Sequence, residues 1–389
     1  MAQTAQPMLE GIRVIDLTSV VFGPYATQTL ADLGAEVIKV EPPIGDAFRY
    51  SAKPAHTMGM SPSFLALNRG KRSIALDLKA PADSETLRDL LKTADVFIHN
   101  VREKAIERLG FDYEAVRAIR PDIIYVHCVG FGSDGPYADL QAYDDVIQAA
   151  TGTTTLLPRV DGDPRPRYLP SLIADKVAGL HGAQAVLAAV IHRLRTGEGQ
   201  RVEVPMFEAF AHFMLQEHLG GITFDPPVGP VGYARQLDPN RQPFPTADGY
   251  ISIVPYTDAS VVKLFTVLEG AQVLQDERFA TGPQRVANST ALYGEIARLT
   301  PARTTADWLE RLEAARLPAM AVRDLADILD DPHLRQTGFF DRKIHPTEGP
   351  YFDMRAPIRY DAYPRPDHRP APLVGQDGEA IRADLKDRK

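Results

Sequence analysis

Apolar and polar positions along the first third of the chain alternate between two periods. "IRVIDL", "AEVIKVEPP", "SIALDLK", "DVFIHN" and "IIYVHCVGF" are short, nearly continuous apolar runs, the pattern of strands buried on both faces. Between them, "FGPYATQTLADLG" carries a helical repeat that Gly34 can end. "PADSETLRDLLKTA" predicts an amphipathic helix capped at Asp83 or Ser84, and "KAIERLGFDYEAVRAIR" holds a further helix. Strands alternating with helices predict βαβ units and a parallel, doubly wound sheet. Ligands on such sheets sit at the carboxyl ends of the strands, where "EPPIGD", "HNVRE" and "GFGSDGPY" fall.

Further along, "RLRTGEGQRVEVPMFEAF" predicts a helix end, a Gly-rich turn, a strand and another helix. Gly and Pro dominate from Leu219 to Pro245, which predicts a crossing segment between domains. "DGYISIVPY" follows as a strand, and helical patterns fill Asp258 to Leu329. The Pro-rich tail from Arg342 onward is expected to be extended rather than helical. A chain of 389 residues exceeds one ordinary core, so two domains are expected.

Composition narrows the class. Hydrophobic residues make up 44% and charged residues 24%, as in soluble globular proteins. The net charge of -8 argues against nucleic-acid or anionic-membrane partners. A single cysteine, Cys128, excludes an intrachain disulfide and fits a reducing cytoplasm. "MAQTAQPMLEGIRVIDL" has no charged segment followed by an apolar one. The apolar run Ala185 to Ile191 falls far short of the ~20 residues that span a bilayer. A cytoplasmic protein is expected.

Candidate chemistry is sparse. The ten histidines are scattered, with no H-E-x-x-H and no paired cysteines, so no metal site is expected. Cys128, inside an apolar strand, is expected to be buried and inert. "GFGSDG" lacks the full dinucleotide fingerprint. Asp175 stands out in "LPSLIADKVAGLHGAQAVLAAVIHRL", because Ala178, Gly179 and Gly182 follow on its helical face. Two readings are open there. One is an acid favoured by the helix dipole above glycines that permit close helix packing; the other is a functional carboxylate with a ligand lying over the glycines. Two cationic clusters, Arg69, Lys71 and Arg72 and then Arg102, Lys104 and Arg108, flank strands and are candidates for phosphate binding.

Taken in order, "LEGIRVIDLTSVVFGPYATQTLADLGAEVIKVEPPIGD", "LNRGKRSIALDLK", "DVFIHNVREKAIERLGFDYEAVRAIRPDIIYVHCVGFGSDGPY", "AYDDVIQAATG" and "IADKVAGLHGAQAVLAAVIHRLRTGEGQRVEVPMFEA" resemble the class III coenzyme A transferases. That family includes formyl-CoA and carnitine-type CoA transferases and the 2-methylacyl-CoA racemases. The likeness is dense from Leu9 to Ala209 and thins to "DGYISI" and "PAPLVGQ". It implies an α/β fold with a Rossmann-like large domain and a smaller α+β domain, in an interlocked homodimer. The expected division is 1–218 for the N-terminal part of the large domain, 219–245 for the linker, 246–329 for the small domain and 330–389 for a segment returning to the large domain.

The resemblance further implies that Asp175 is the nucleophile, moving CoA from an acyl-CoA donor to a carboxylic acid through aspartyl anhydride and aspartyl-CoA thioester intermediates. Ala178, Gly179 and Gly182 are then expected to leave room for the thioester. Val20, Arg72, Asn100 and Arg108 match positions that line the CoA site, and Lys39 and Lys71 are candidates beside them. Tyr143 and Met206 fall where the acyl pocket is built, and Arg235 is a candidate for a second carboxylate. No permanently bound cofactor is implied; the CoA thioester is a substrate. Two departures separate the chain from racemases: Tyr143 replaces a histidine, and Thr257 and Asp258 stand where a glutamate is expected. Two others separate it from formyl-CoA transferase: Pro42 replaces a CoA-contacting arginine, and "GPVGYARQLDPNRQ" replaces a glycine-rich lid. Transfer is thus favoured over 2-methylacyl-CoA racemisation, and a non-catalytic CoA-ester binding protein is the third reading.

Overall fold

A computed structural model describes residues 6–363 and 366–387. In chain order the elements begin β1 (Arg13–Leu17), α1 (Phe22–Asp32), β2 (Glu36–Glu41), α2 (Pro62–Asn68), β3 (Arg72–Ala75), α3 (Pro81–Lys92) and β4 (Val96–His99). They continue α4 (Glu103–Leu109), α5 (Tyr113–Ile119), β5 (Ile124–Val129), α6 (Asp144–Ala150), α7 (Leu156–Asp161), α8 (Ile173–Thr196), β6 (Gln200–Pro205) and α9 (Met206–His218). After them come β7 (Phe244–Pro245), β8 (Tyr250–Ile253), α10 (Asp258–Val267), α11 (Gly282–Ala287), α12 (Ser289–Leu299), α13 (Thr305–Ala314) and β9 (Ala319–Ala321). The last are α14 (Pro332–Gln336), β10 (Phe340–His345), β11 (Gly349–Met354) and α15 (Gly378–Asp387).

The chain forms two compact units: residues 1–153, 168–214 and 334–389 in the first, 154–167 and 215–333 in the second. The first holds a six-stranded parallel sheet in the order β3-β2-β1-β4-β5-β6, the order of a doubly wound sheet. The expected strands are all present. Val14, Ile15, Val37, Ile38, Phe97, Ile98 and Val126 have essentially no exposure, which explains why these strands read as continuous apolar runs. The strand order reverses between β1 and β4, so the loops after those strands, 18–21 and 100–102, border the sheet's ligand-binding crevice. The second unit packs a three-stranded antiparallel sheet, β7-β8-β9, against helices around Trp308, Phe265 and Leu312.

Several local expectations need correction. The helix after Pro81 has Ala80 as N-cap and no side-chain cap; Asp83 sits in its first turn and pairs with Arg382 at 3.0 Å. The single helix expected after Lys104 is two, α4 and α5, because Gly110 ends the first in a left-handed conformation (φ 73°). The tail is not simply extended. It forms the β10–β11 hairpin and then α15, whose Ile381 and Leu385 complete the core on the β3 side. α8 is long and apolar enough to cross a bilayer by length and composition, yet here it is a core helix lying along α1 and the β5–β6 edge.

Beneath the turn that joins β1 to α1 lies a chain of buried charges. Asp16 and Lys39 are cross-strand neighbours, and both are fully buried. Lys71 reaches Asp16 at 3.2 Å, Thr27 Oγ1 at 2.8 Å, Asn68 Oδ1 at 2.9 Å and the Pro24 carbonyl at 3.1 Å. Lys39 donates to Asp46 and to the Thr18 carbonyl, both at 2.9 Å. Burial opposes charge on Asp16, but Lys71 and Lys39 outweigh it and hold the carboxyl below its ordinary range. Asp46 in turn accepts the Val20 N–H at 3.1 Å. Replacing Lys39 by Met leaves Asp46 buried without its cation. Denaturant unfolding of the intact chain is expected to show a loss of about 3–5 kcal/mol.

Candidate active site

Asp175 lies in the first turn of α8 and is only 7% exposed. Its helix has Leu172 as N-cap and no local side-chain cap. The missing acceptor comes from another helix: Asp144 Oδ2 accepts the Asp175 N–H at 3.0 Å. Asp144 is itself buried, and its Oδ1 accepts from Gln148 Nε2 at 2.7 Å. The Asp175 carboxyl therefore sits in a dry site beside a second carboxylate. Burial, and then the charge of Asp144, push its pKa up to about 7. The Phe22 N–H, at the first position of α1, favours the ionised form and opposes that rise. No cation acts on Asp175 among the described residues.

The glycines below Asp175 serve a different purpose from the one expected. A Cβ on Gly179 would stand 2.8 Å from the Phe22 carbonyl and 3.0 Å from Tyr25 Cβ, and one on Gly182 would stand 3.2 Å from Ala26 Cβ. The space is filled by α1, so these glycines permit close helix packing instead of leaving room for a thioester. That packing brings the N-terminus of α1, and hence the crevice after β1, to Asp175.

The residues expected at the CoA site divide into three groups. Val20 sits in that crevice with φ 70°, a left-handed conformation costly for a β-branched residue. Asn100 clamps the neighbouring Ser19, accepting its N–H at 3.1 Å and donating to its carbonyl at 3.0 Å. Arg72 is half-buried and paired with Glu36 and Asp384; Arg108 is exposed on α4 and donates to the Lys104 carbonyl. Lys39 and Lys71 are different: their ammonium groups are fully buried and bound to protein oxygens, so they hold the turn instead of offering free charge to a phosphate. Arg69 of the same cluster is likewise committed to Asp32.

Tyr143 is 65% exposed at the start of α6, immediately before Asp144. Met206 opens α9 and is buried in the core with Phe210. Arg235 belongs to the second unit, where its guanidinium lies 5.1 Å from the Tyr256 ring centre. Cys128 is buried as expected, and burial pushes its thiol well above the usual range. Asp144 and Gln148 were not among the sequence candidates. Their i, i+4 spacing directly after Tyr143 is the signal that marks them. Among the described residues no cluster of three His, Cys, Asp or Glu side chains fits a metal ion.

The sheet and crevice are those of an α/β protein, with a buried acidic side chain brought to the crevice. Residues 9–378 match the profile of CoA-transferase family III, and the chain belongs to that family. It is 33% identical over 397 residues to the succinate–glutarate CoA-transferase of Agrobacterium fabrum, covering 98% of this chain and 96% of that one. The succinyl-CoA:glutarate CoA-transferase of Mus musculus is 31% identical, covering 95% of this chain and 84% of its own. A crystal structure of a CaiB/BaiF family protein from Brucella suis superposes with a TM-score of 0.83 at 34% identity, covering 97% and 99% of the two chains.

The raised pKa of Asp175 has a stability consequence. A carboxyl whose pKa is higher folded than unfolded favours the folded state most below the unfolded value, and that contribution is lost as pH rises through about 7. Asp175→Asn removes the charge, so at pH 8 the variant is expected to be more stable than the parent by roughly 0.5–2 kcal/mol. Thermal melts across pH 5 to 8 should show the difference shrinking as the parent's carboxyl protonates.

Proposed function

We propose that Asp175 carries the acyl and CoA groups in turn. Its carboxylate oxygen attacks the donor thioester carbon, the C–S bond breaks, and CoA leaves as thiolate, giving a mixed anhydride. The thiolate then attacks Cγ of Asp175, releasing the donor acid as carboxylate and leaving an aspartyl-CoA thioester. An acceptor carboxylate attacks the same carbon and expels the thiolate; the thiolate then takes the acceptor acyl group and restores Asp175. No net proton is consumed, and each intermediate survives only if water is kept away. The observation that carries this reading is a buried carboxylate with no cation acting on it among the described residues, aimed at a helix N-terminus, in a family III chain.

Val20, Arg72, Asn100 and Arg108 are proposed to line the CoA site, with Tyr143 and Met206 toward the acyl group. The relatives named for succinate, glutarate, oxalate and mesaconate support a small dicarboxylic acid as one substrate. Arg235 is the proposed partner of its second carboxylate. The reading also carries the interlocked homodimer that the family resemblance implies. A racemase would need a base on each face of the substrate; Tyr143 supplies a solvent-facing phenol in place of imidazole.

Asp175→Ala is expected to abolish CoA exchange between succinyl-CoA and a panel of dicarboxylates while keeping CoA binding by calorimetry. Hydroxylamine added during turnover of the parent protein should convert Asp175 to its hydroxamate, seen by peptide mass spectrometry. Because the nucleophile must be ionised, exchange should fall as pH drops below about 7. Exchange at parental rates in the Asp175→Ala protein would remove the assignment.

A further inference from the structure

Gln148 is a fully buried amide whose hydrogen bonds, from both its nitrogen and its oxygen, join two segments. On its own helix, Nε2 donates to Asp144 Oδ1 at 2.7 Å. Across the gap to α8, the same nitrogen lies 3.3 Å from the Leu169 carbonyl and 3.2 Å from the Ser171 carbonyl, while Oε1 accepts the Leu169 N–H at 2.9 Å. The segment it grips, 169–171, leads directly into α8 and is sharply folded. The Ser171 N–H donates to the Leu169 carbonyl at 2.7 Å, and the Ile173 N–H to that of Ser171 at 2.8 Å.

Helix α8 has no local cap to fix where it starts. Its register rests on Asp144, which binds the Asp175 N–H, and on the lead-in segment 169–171. Gln148 is the side chain that binds both. We propose that Gln148 is a positioning residue for acyl transfer: by tying Asp144 to residues 169–171, it fixes the start of α8 and so the place of Asp175 against the N-terminus of α1. This rests on the reading of Asp175 as nucleophile.

The assignment predicts more than a loss of stability. The groups facing Asp175 are Asp144 from α6 and the Phe22 N–H from α1, with Tyr25 of α1 packed one turn further along against Gly179. Lys176, on α8 itself, turns outward to Ser171 Oγ at 2.6 Å. Asp144 is thus the charge that acts on Asp175. Without Gln148, Asp144 is free to swing away from Asp175, which removes its repulsion of an ionised Asp175. The acid limb of the reaction then moves to lower pH even as the rate falls.

The test is Gln148→Met in the full-length protein, with folding checked by circular dichroism and CoA affinity by calorimetry. The single-turnover rate of Asp175 acylation by succinyl-CoA is followed from pH 5 to 8. The expected result is a rate lower by about 10–100-fold, unchanged CoA affinity, and an acid limb displaced downward by about one pH unit. A folded variant whose limb stays in place would overturn the proposal, since a merely structural side chain lowers the active fraction without moving the limb. Gln148→Asn keeps the buried amide but is one methylene too short to join the two segments; it is read in the same way should the Met variant fail to fold. Asp175→Ala is run in parallel. If it keeps parental exchange, the nucleophile reading and this proposal both fall; if it is inactive while the Gln148 limb is unmoved, only this proposal does.

Discussion

The geometry of the site depends on the buried charges under the β1–α1 turn. Two lysines and two aspartates are enclosed where β1 and β2 end, at a depth where any one of them alone would be strongly unfavourable. They are tolerated because each is bound several times over. Lys71 has four oxygen partners, and Asp16 accepts from Thr18, Thr27 and Lys71. The payoff is conformational. Lys39 holds the Thr18 carbonyl, Asp46 holds the Val20 N–H, and Asn100 holds both polar groups of Ser19, so three successive residues are fixed from three strands or loops. Only such over-determination keeps Val20 in the left-handed region, and it sets the direction in which α1 leaves the sheet.

From α1 the constraint passes to α8. Gly179 and Gly182 let the two helices approach so closely that the Phe22 carbonyl fills the space of a side chain. The carboxylate of Asp175 thereby meets the positive end of α1. Neither open reading of "ADKVAGLHG" survives alone: the glycines are there for packing, and the packing is what delivers the aspartate.

How much of this was legible in the sequence varies with the kind of signal. The strands of the parallel sheet were legible because burial on both faces writes an unbroken apolar run. Asp175 was legible because its helix face is stripped of side chains. The buried lysines were not, since Lys39 and Lys71 stand in "VIKVE" and "RGKRS" like any surface cation, and only the fold shows their ammonium groups turned inward. The tail misled for a related reason. Prolines break the interior of a helix, but α15 begins at Gly378, past the last of them, and its apolar stripe of Ile381 and Leu385 is too short to stand out. Asp144 was harder to see, because a cap supplied by one helix to another 31 residues away leaves only the i, i+4 spacing to Gln148 in the local sequence.

For the role proposed for it, the setting of Asp175 reconciles two demands on a nucleophilic carboxylate. It must be ionised to attack, yet poorly solvated, so that its lone pair is available and its acyl adducts stay away from water. A cation would satisfy the first demand and defeat the second, by lowering both the pKa and the nucleophilicity. Here burial and Asp144 push the pKa up to about 7, and the neutralising contribution is limited to a backbone N–H. The carboxylate is therefore half ionised near neutral pH, and its negative charge is held by a fixed dipole that needs no reorganisation when that charge moves onto an acyl group. A second carboxylate next to the first is destabilising for the fold. It persists here because the same Asp144 that repels the charge of Asp175 also caps the helix that carries it.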